Sequence, residues 1–448
     1  MFSKVLIANR GEIAVRIIRA CRELGIATTA VYSEADRDAL HTLMADEAVC
    51  IGSALSSESY LNMQNILSVA MLKEVDAIHP GFGFLAENAS FARLCCECGI
   101  TFIGPCAESI ELMGNKSGAR QTMKSAGIPT VPGSDGLVCS EQDCLKIADE
   151  IGYPVMIKAA AGGGGRGIRI VRGRDELISS FESARSEAKN YFASDGVYIE
   201  KYLENTRHVE FQIIADSFGN TVHLFDRDCS MQRRNQKLIE ESPCASLSNE
   251  QRLKMGAAAV SAAKAVGYRN AGTVEFLVDS NENFYFMEMN TRIQVEHPVT
   301  EAVTGIDIVK EQIKIAAGAK LPFKQNSIKA DWHSIECRIN AEDPSKNFAP
   351  SAGVVDYLYV PGGFGVRFDS HIYQGYAVPP HYDNMLGKMI VWDKDRESAV
   401  RKMYCALHEL AIEGIVNNID FQKKIISSEE FMSGKYNTSS INEMLVRK

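Results

Sequence analysis

The sequence has no apolar run approaching the length of a membrane span, and Val5-Leu6-Ile7-Ala8 is cut short by Asn9, Arg10 and Glu12 before it could form a secretion-signal core. A soluble, cytoplasmic protein is therefore expected, with no membrane partner. An excess of positive charge is also lacking. Against 57 aspartates and glutamates stand 48 lysines and arginines, for a net charge of -9, which excludes a sequence-independent hold on nucleic acid. Paired cysteine spacing is missing too. The 12 cysteines are scattered, and Cys95-x-x-Cys98 has no second pair to complete a zinc site, so reduced thiols in a reducing compartment are expected.

Two phosphate-binding words are absent as well. The first strand-to-helix turn reads Asn9-Arg10-Gly11-Glu12-Ile13-Ala14 rather than G-x-G-x-x-G, and Glu12 would repel a pyrophosphate, which disfavours a nicotinamide dehydrogenase. The run Gly162-Gly163-Gly164-Gly165-Arg166-Gly167 is not a Walker loop, because no helix opening on Lys-Ser or Lys-Thr follows it.

What is present is an ordinary globular composition, 46% hydrophobic and 23% charged over 448 residues, enough for two to three α/β domains. Residues 4–114 alternate short apolar runs (KVLIA, TTAVY, DAIHP, TFIGP) with helical patterns over 12–24, 60–73 and 88–98, which predicts a mostly parallel sheet. His79-Pro80-Gly81-Phe82-Gly83-Phe84 closes one strand with a glycine-rich loop, where ligands of open α/β sheets sit. A helix over 116–126 stops at Gly127 and Pro129. Beyond it the pattern predicts a helix near 143–151, strand, glycine loop and strand in PVMIKAAAGGGGRGIRIV, a helix over 175–190, strands over 197–203 and 207–215, and a helix over 397–413. Four consecutive glycines are costly in backbone entropy. They suit a lid whose N–H groups close over phosphate, with Lys158 reaching in from the preceding strand.

The chemistry concentrates in FYFMEMNTRIQVEHPVTE, residues 284–301. Glu288, Asn290, Arg292, Gln294 and Glu296 fall on every second residue, so strand periodicity places them on one face. An exposed edge strand is the commoner cause of such alternation. Here, however, the ladder emerges from an aromatic, apolar run, and buried carboxylates need partners. Glu275, the single ionisable group in AGTVEFLV, precedes a short linker over 279–283 and a second strand, so hairpin spacing brings it near Glu288. Two carboxylates and Asn290 make an oxygen-rich floor suited to Mg2+ and nucleotide phosphates. His208 and Glu210 share a strand face, and the charged run from Asp226 to Lys237, read as following a strand, suits an anion such as bicarbonate or phosphate.

Jointly, IANRGEIAVRIIRA, HPGFGFLAEN, FIGP, KAAAGGGGRGIR, EKYLENTRHVEFQ, RDCSMQRRNQK, EMNTRIQVEHPVTE, ECRINAEDP and PGGFGVRFDSHIYQGY resemble biotin carboxylase, the ATP-grasp subunit of bacterial acetyl-CoA carboxylase, along essentially the whole chain. The resemblance implies an α/β ATP-grasp fold with a Rossmann-like N-terminal domain (1–114), an ATP-grasp domain (115–330, with 131–203 as a mobile lid) and a C-terminal α+β biotin carboxylase domain (331–448). It implies that Lys116, Lys158 and His208 contact phosphates and that Gly164 and Gly165 line the lid. Glu200, Lys201, Tyr202 and Leu203 would hold the adenine end, with Gln232 and Asn235 also on the nucleotide side. Glu275, Glu288 and Asn290 would bind two Mg2+ ions, or Mn2+ in their place.

The resemblance further implies a bicarbonate cradle of Arg292, the Val295 backbone and Lys237, with Glu296 as the base and Arg338 stabilising the biotin enolate. ATP and bicarbonate would carboxylate biotin through carboxyphosphate, the first half-reaction of acetyl-CoA carboxylase, which feeds malonyl-CoA and fatty acid synthesis. Because no Ala-Met-Lys-Met word occurs, biotin is expected on a separate biotin carboxyl carrier protein, with carboxyltransferase subunits as further partners. A homodimer is implied through Arg16, Glu23, Phe364 and Arg367. Asn235 stands where the family commonly has histidine, and Phe82 where it has tyrosine. The rival readings are another ATP-grasp ligase, of the carbamoyl-phosphate or purine-biosynthetic kind, and a silent nucleotide-binding scaffold.

Overall fold

The computed structural model describes residues 1–159, 168–192 and 196–446. The chain divides into two compact units, Met1–Asn115 with Arg207–Glu275 and Glu288–Lys448, and Lys116–Thr206 with Phe276–Met287.

In the first unit, apolar strands and helices alternate as the sequence predicts. Lys4–Ile7 lies at the centre of a parallel sheet between Ala27–Tyr32 and Ala77–His79, with Glu47–Cys50 and Thr101–Phe102 at the edges. The edge strand Glu47–Cys50 left no readable signal, because it is four residues long and its side chains are half-buried or exposed rather than buried. A parallel sheet must be covered on both faces. The helix Gly11–Glu23 covers one, burying Ile13, Ala14, Ile17, Ile18 and Cys21 against Val5, Ile7 and Ile26, and each such isoleucine contributes about 1.5–3 kcal/mol.

Strand ends of a parallel sheet share one edge, so the turn after Lys4–Ile7 and the loop after Ala77–His79 meet there. Asn9 Nδ2 donates to the Pro80 and Phe82 carbonyls, each at 2.7 Å. Gly81 has φ +63° and a Cβ would fall 2.9 Å from Asn9 Nδ2, so only glycine lets the loop close on this side chain.

The larger sheet of the chain runs in the order Phe284–Asn290, Asn270–Val278, Arg207–Ala215, Thr221–Arg233, Gln236–Ser242, His333–Asn340, Met385–Asp393, Val366–Ser370. The helix Arg396–Glu409, capped by the Asp395 side chain on the Ser398 N–H, packs Ala399, Met403 and Leu407 into a core with Ile335, Met389 and Val391.

Three expectations are corrected. The polar ladder is a strand only to Asn290; residues 291–296 turn, and His297–Thr304 is a helix with Pro298 in its first turn, where a missing N–H is tolerated. The charged run from Asp226 to Lys237 does not follow a strand but is one, continuing to Arg233 and returning from Gln236. The helix expected over 397–413 runs from Arg396 and ends at Glu409, and Ala411–Glu413 pairs with Tyr357–Tyr359 as a short strand.

The second unit holds the helices Lys116–Ser125, Glu141–Ile151 and Leu177–Phe192 and a three-stranded antiparallel sheet with Val155–Ala159 between Ile168–Val171 and Val197–Lys201. Its core is Val155, Ile157, Val171, Leu177, Phe181, Ala184, Val197 and Ile199. Gly164 and Gly165 lie outside the described residues. The cysteines are free thiols, and among the described residues no helix is long and apolar enough to cross a membrane.

One buried carboxylate ties strands of the larger sheet to the helix Arg396–Glu409 and to the segment around Tyr436. Glu241 accepts from His333 Nε2 at 2.9 Å, Arg396 Nε at 2.8 Å and the Tyr436 hydroxyl. Burial alone would raise its pKa, but the bonds and charges of His333 and Arg396 lower it to about 2. Because the folded value lies below the unfolded one, the stabilisation is full above the ordinary carboxylate pKa and is lost as pH falls toward about 2. A Glu241→Gln protein is expected to show a shallower loss of unfolding free energy over that acid window, measured by urea denaturation at successive pH values. An unchanged slope would show that Glu241 carries no such linkage.

Candidate active site

The alternation of Thr221–Arg233, Gln236–Ser242 and Arg207–Ala215 sends one set of side chains from each strand toward the same buried face. There the charges form a continuous lattice. Lys237 Nζ contacts Glu210 Oε2 at 2.6 Å, Glu275 Oε1 at 3.1 Å and Glu296 Oε1 at 2.6 Å. Arg227, wholly buried, donates to Glu210 at 2.6 Å and to Gln212 at 2.8 Å. Arg338, on His333–Asn340, donates from Nε to Glu240 Oε1 at 2.7 Å and from Nη2 to Glu296 Oε2 at 2.9 Å. The two oxygens of Glu296 are thus held by different cations, Lys237 on one side and Arg338 on the other.

Desolvation of this many charges would be prohibitive without such pairing. Burial would raise the Glu296 pKa, but Lys237, Arg338 and Arg227 hold it well below the carboxylate range, so the group is ionised at neutral pH. Burial likewise opposes the charge on Lys237, yet the Cys229 thiol and the Glu210, Glu275 and Glu296 carboxylates push its pKa well above the usual lysine value. Glu240 moves the other way. Its burial, with Glu296 nearby, outweighs Arg338 and raises it to about 7.

Glu275 accepts from Asn290 Nδ2 and Gln294 Nε2, each at 2.8 Å, and lies 2.9 Å from His208 Nε2. Burial would lower the His208 pKa, but Glu275 raises it, so the imidazole is held toward its protonated form. Arg292 is aimed by the side chains of Glu87 (Oε2, 2.9 Å), Gln294 (Oε1, 2.9 Å) and Asn290 (Oδ1, 3.1 Å) and by the Ile293 carbonyl at 3.2 Å. Glu288, by contrast, is exposed near the end of its strand. Glu275, Glu288 and Asn290 offer two carboxylates and an amide oxygen, a hard donor set that fits Mg2+.

Gln232 is buried and sits opposite Lys237 in the strand register. Arg234 and Asn235 form the tip of that hairpin, with φ +50° and +64°. Asparagine adopts this left-handed region more readily than most side chains, which accounts for Asn235 at this place in the turn. In the second unit, Lys158 Nζ lies 2.5 Å from Glu200 Oε2, and Arg120 approaches the other oxygen at 3.1 Å. Lys201 Nζ donates to the Gly152 and Tyr153 carbonyls at 3.0 and 2.9 Å, and the Tyr202 N–H donates to the Pro154 carbonyl at 3.0 Å. Leu203 follows this strand, and Lys116 begins its helix exposed.

Sequence reasoning assigned no role to Glu210, Glu240, Glu87 or Lys388, which hold groups it had named, and it read Arg227 only as part of a run suited to an anion, whereas Arg227 pairs with Glu210. For Glu210 the signal was its spacing from His208. For Glu240 it was an acid at an alternate position in the strand sequence QKLIEES. Lys388 and Glu87 gave no local signal, since each acts on residues far away in the chain.

A largely buried lysine and arginine sharing carboxylates beside a carboxylate hairpin, on an α/β scaffold, make a site suited to an anionic, metal-bound ligand, and the comparisons place that site in an enzyme with an ATP-binding domain. Three family models cover the chain: Biotin carboxylase, N-terminal domain, over residues 1–110; Carbamoyl-phosphate synthase L chain, ATP binding domain, over 115–324; and Biotin carboxylase C-terminal domain, over 336–443. Biotin carboxylase 1 of Bacillus subtilis is 60% identical over 439 residues, 98% of each chain. Among solved structures, a biotin carboxylase–β,γ-ATP complex from Campylobacter jejuni is 51% identical with a TM-score of 0.94, covering 99% of each chain. The biotin carboxylase domain dimer of Hydrogenobacter thermophilus 2-oxoglutarate carboxylase, in complex with MgADP, ADP and bicarbonate, is 52% identical with a TM-score of 0.93, covering 99% of this chain and 98% of that one. The chain belongs to the biotin carboxylase family.

Proposed function

We propose that this chain is the biotin carboxylase component of a biotin-dependent carboxylase and carboxylates biotin from ATP and bicarbonate. It is an ATP-binding ligase that uses Mg2+, bicarbonate and biotin. The observation that carries the reading is the Glu296 carboxylate held in a buried lattice by Lys237 and Arg338.

In the residue roles we infer, Arg292, the Val295 backbone and Lys237 hold bicarbonate, and Glu296 takes its proton. The bicarbonate oxygen then attacks the γ-phosphorus of ATP, and the bond to the β-phosphate oxygen breaks to release ADP and leave carboxyphosphate. Carboxyphosphate divides into CO2 and phosphate, and the phosphate removes the N1 proton of biotin. Arg338 stabilises the negative charge that develops on the ureido oxygen, and N1 adds to CO2 to give carboxybiotin. Lys116, Lys158 and His208 are assigned to the phosphates, and Glu200, Lys201, Tyr202 and Leu203 to the adenine end. Gln232 and Asn235 are assigned to the nucleotide side, and Gly164 and Gly165 to the lid. Glu275, Glu288 and Asn290 would hold Mg2+, which when bound neutralises charge on the polyphosphate.

Beyond the half-reaction, we infer domains at 1–114, 115–330 and 331–448, a homodimer, and biotin delivered on a separate carrier protein. Carboxyltransferase subunits, acetyl-CoA as the acceptor and a place in fatty acid synthesis in the cytoplasm complete the proposal.

The test is ADP release by the purified protein with ATP, Mg2+ and bicarbonate, with and without free biotin. Stimulation by biotin is expected, and turnover that ignores biotin would point to a different ATP-grasp ligase. A Glu288→Lys protein should lose Mg2+-dependent turnover by at least about 100-fold, because a ligand is replaced by a repelling charge on an exposed site where the fold tolerates it. Full activity in that variant would remove Glu288 from the metal site.

A further inference from the structure

Outside the lattice around Lys237 lies a second fully buried cation, Lys388, on the strand Met385–Asp393. Its ammonium donates to the Val295 carbonyl at 2.8 Å and pairs with Glu12 Oε1 at 3.0 Å. Glu12 is the acid of the first strand-to-helix turn, which was notable in the sequence only for being incompatible with pyrophosphate. In the fold it is buried and serves as the counter-charge of Lys388. Burial opposes the lysine's charge, but Glu12, Glu336 and Asp369 raise its pKa and keep it cationic.

The strand register gives this contact its meaning. Lys388 is the Cα partner of Arg338 on one side and of Asp369 on the other. Arg338 and Lys388 are therefore neighbours across two strands and project from the same sheet face. The first grips the Glu296 carboxylate at 2.9 Å and the second grips the carbonyl of the preceding residue, Val295, at 2.8 Å. Two consecutive residues of the 291–296 turn are thus held by two adjacent cations, one through a side chain and one through the backbone. Fixing the Val295 carbonyl fixes the Val295–Glu296 peptide plane, and with it the direction in which Glu296 leaves the backbone. The helix that follows is anchored at its other end, where Glu301 binds Arg16 and Arg367, each at 2.8 Å.

A methionine would fill much the same volume without the cost of burying an ammonium, so packing alone does not call for lysine here. We propose that Lys388, paired with Glu12 and bonded to the Val295 carbonyl, is a positioning residue that sets the turn carrying Arg292 and Glu296. The inference rests on the role assigned to Glu296.

Lys388→Met alone would strand Glu12 as a buried unpaired acid, so the decisive protein is the double variant Lys388→Met/Glu12→Gln, which removes both charges together. Two readouts are taken on the enzyme: amide hydrogen exchange of the turn 291–296 together with His297 and Val299, whose N–H groups donate to the Gln294 and Glu296 carbonyls of that turn, and steady-state ADP release. The turn amides should exchange about tenfold faster while the core strands keep their protection. The kcat of bicarbonate-dependent ADP release should fall by about tenfold to a hundredfold, the scale of a small misplacement of a reacting group. KM for ATP should stay within about twofold of the parent, since Lys388 bonds the Val295 carbonyl and Glu12 and, among the described residues, none of those assigned to the nucleotide. Unchanged exchange in the turn would overturn the proposal whatever the activity, and faster exchange with parental kcat would overturn the link to catalysis. A parental enzyme without bicarbonate-dependent ADP release would instead sink the functional reading, while the exchange rates still decide whether Lys388 holds the turn.

Discussion

A Glu296→Gln enzyme is expected to lose about 10²–10⁴-fold of its bicarbonate-dependent ADP release, the range for removal of a positioned general base. The amide keeps the shape of the side chain but cannot take a proton. Its folding should change little, because neither cation is left alone. Lys237 keeps Glu210 and Glu275 at 2.6 and 3.1 Å, and Arg338 keeps its 2.7 Å bond to Glu240. The check pairs steady-state ADP release with a thermal melt. Retained activity would remove Glu296 from its role as base, and a collapsed melt would mean that the lattice depends on the Glu296 charge for folding.

Arg338→Gln should separate the two half-reactions. Carboxybiotin formation is expected to fall by about 10²–10³-fold, as for loss of a donor to a developing oxyanion, while biotin-independent ATP hydrolysis persists. The geometry adds a pH signature to this. Arg338 is one of the three cations that hold Glu296 well below the carboxylate range against its burial. Removing it raises the Glu296 pKa, so the base becomes protonated at a higher pH and the acid limb of the residual ATPase profile moves upward. Some loss of stability should accompany this, since Glu240, fully buried, loses its donor. Parallel loss of ATP hydrolysis and biotin carboxylation, with no shift of the acid limb, would place Arg338 in nucleotide binding instead.

Much of the fold was legible from the chain alone. The helix Gly11–Glu23 follows the spacing that burial of one face dictates, and the strands Lys4–Ile7 and Asn270–Val278 read as near-continuous apolar runs because both of their faces are buried. Where charge itself is buried, that signal fails. The strand Thr221–Arg233 contains Asp226, Arg227 and Asp228 in its interior, and it reads as polar only because their partners, Arg252, Glu210 and Arg207, are distant in sequence. The ladder after Glu288 was misread for a different reason. Periodicity of two continues through Glu296 in the letters, but Pro298 opens a helix that local alternation does not anticipate.

The sequence by itself determined which chemical groups are available: the carboxylates Glu275, Glu288 and Glu296, the cations Lys237, Arg292 and Arg338, and the family to which these words belong. Local order in the chain is enough for this, since residue types and their spacing within a strand or turn are properties of short segments. Only the tertiary structure decided who holds whom. That Lys237 serves three carboxylates, that Arg338 and Lys388 grip successive residues of one turn, and that Glu12 pairs with Lys388 across the fold are consequences of strand register and burial. Such pairings join residues separated by tens to hundreds of positions, and they are strong because the fold removes water from around them.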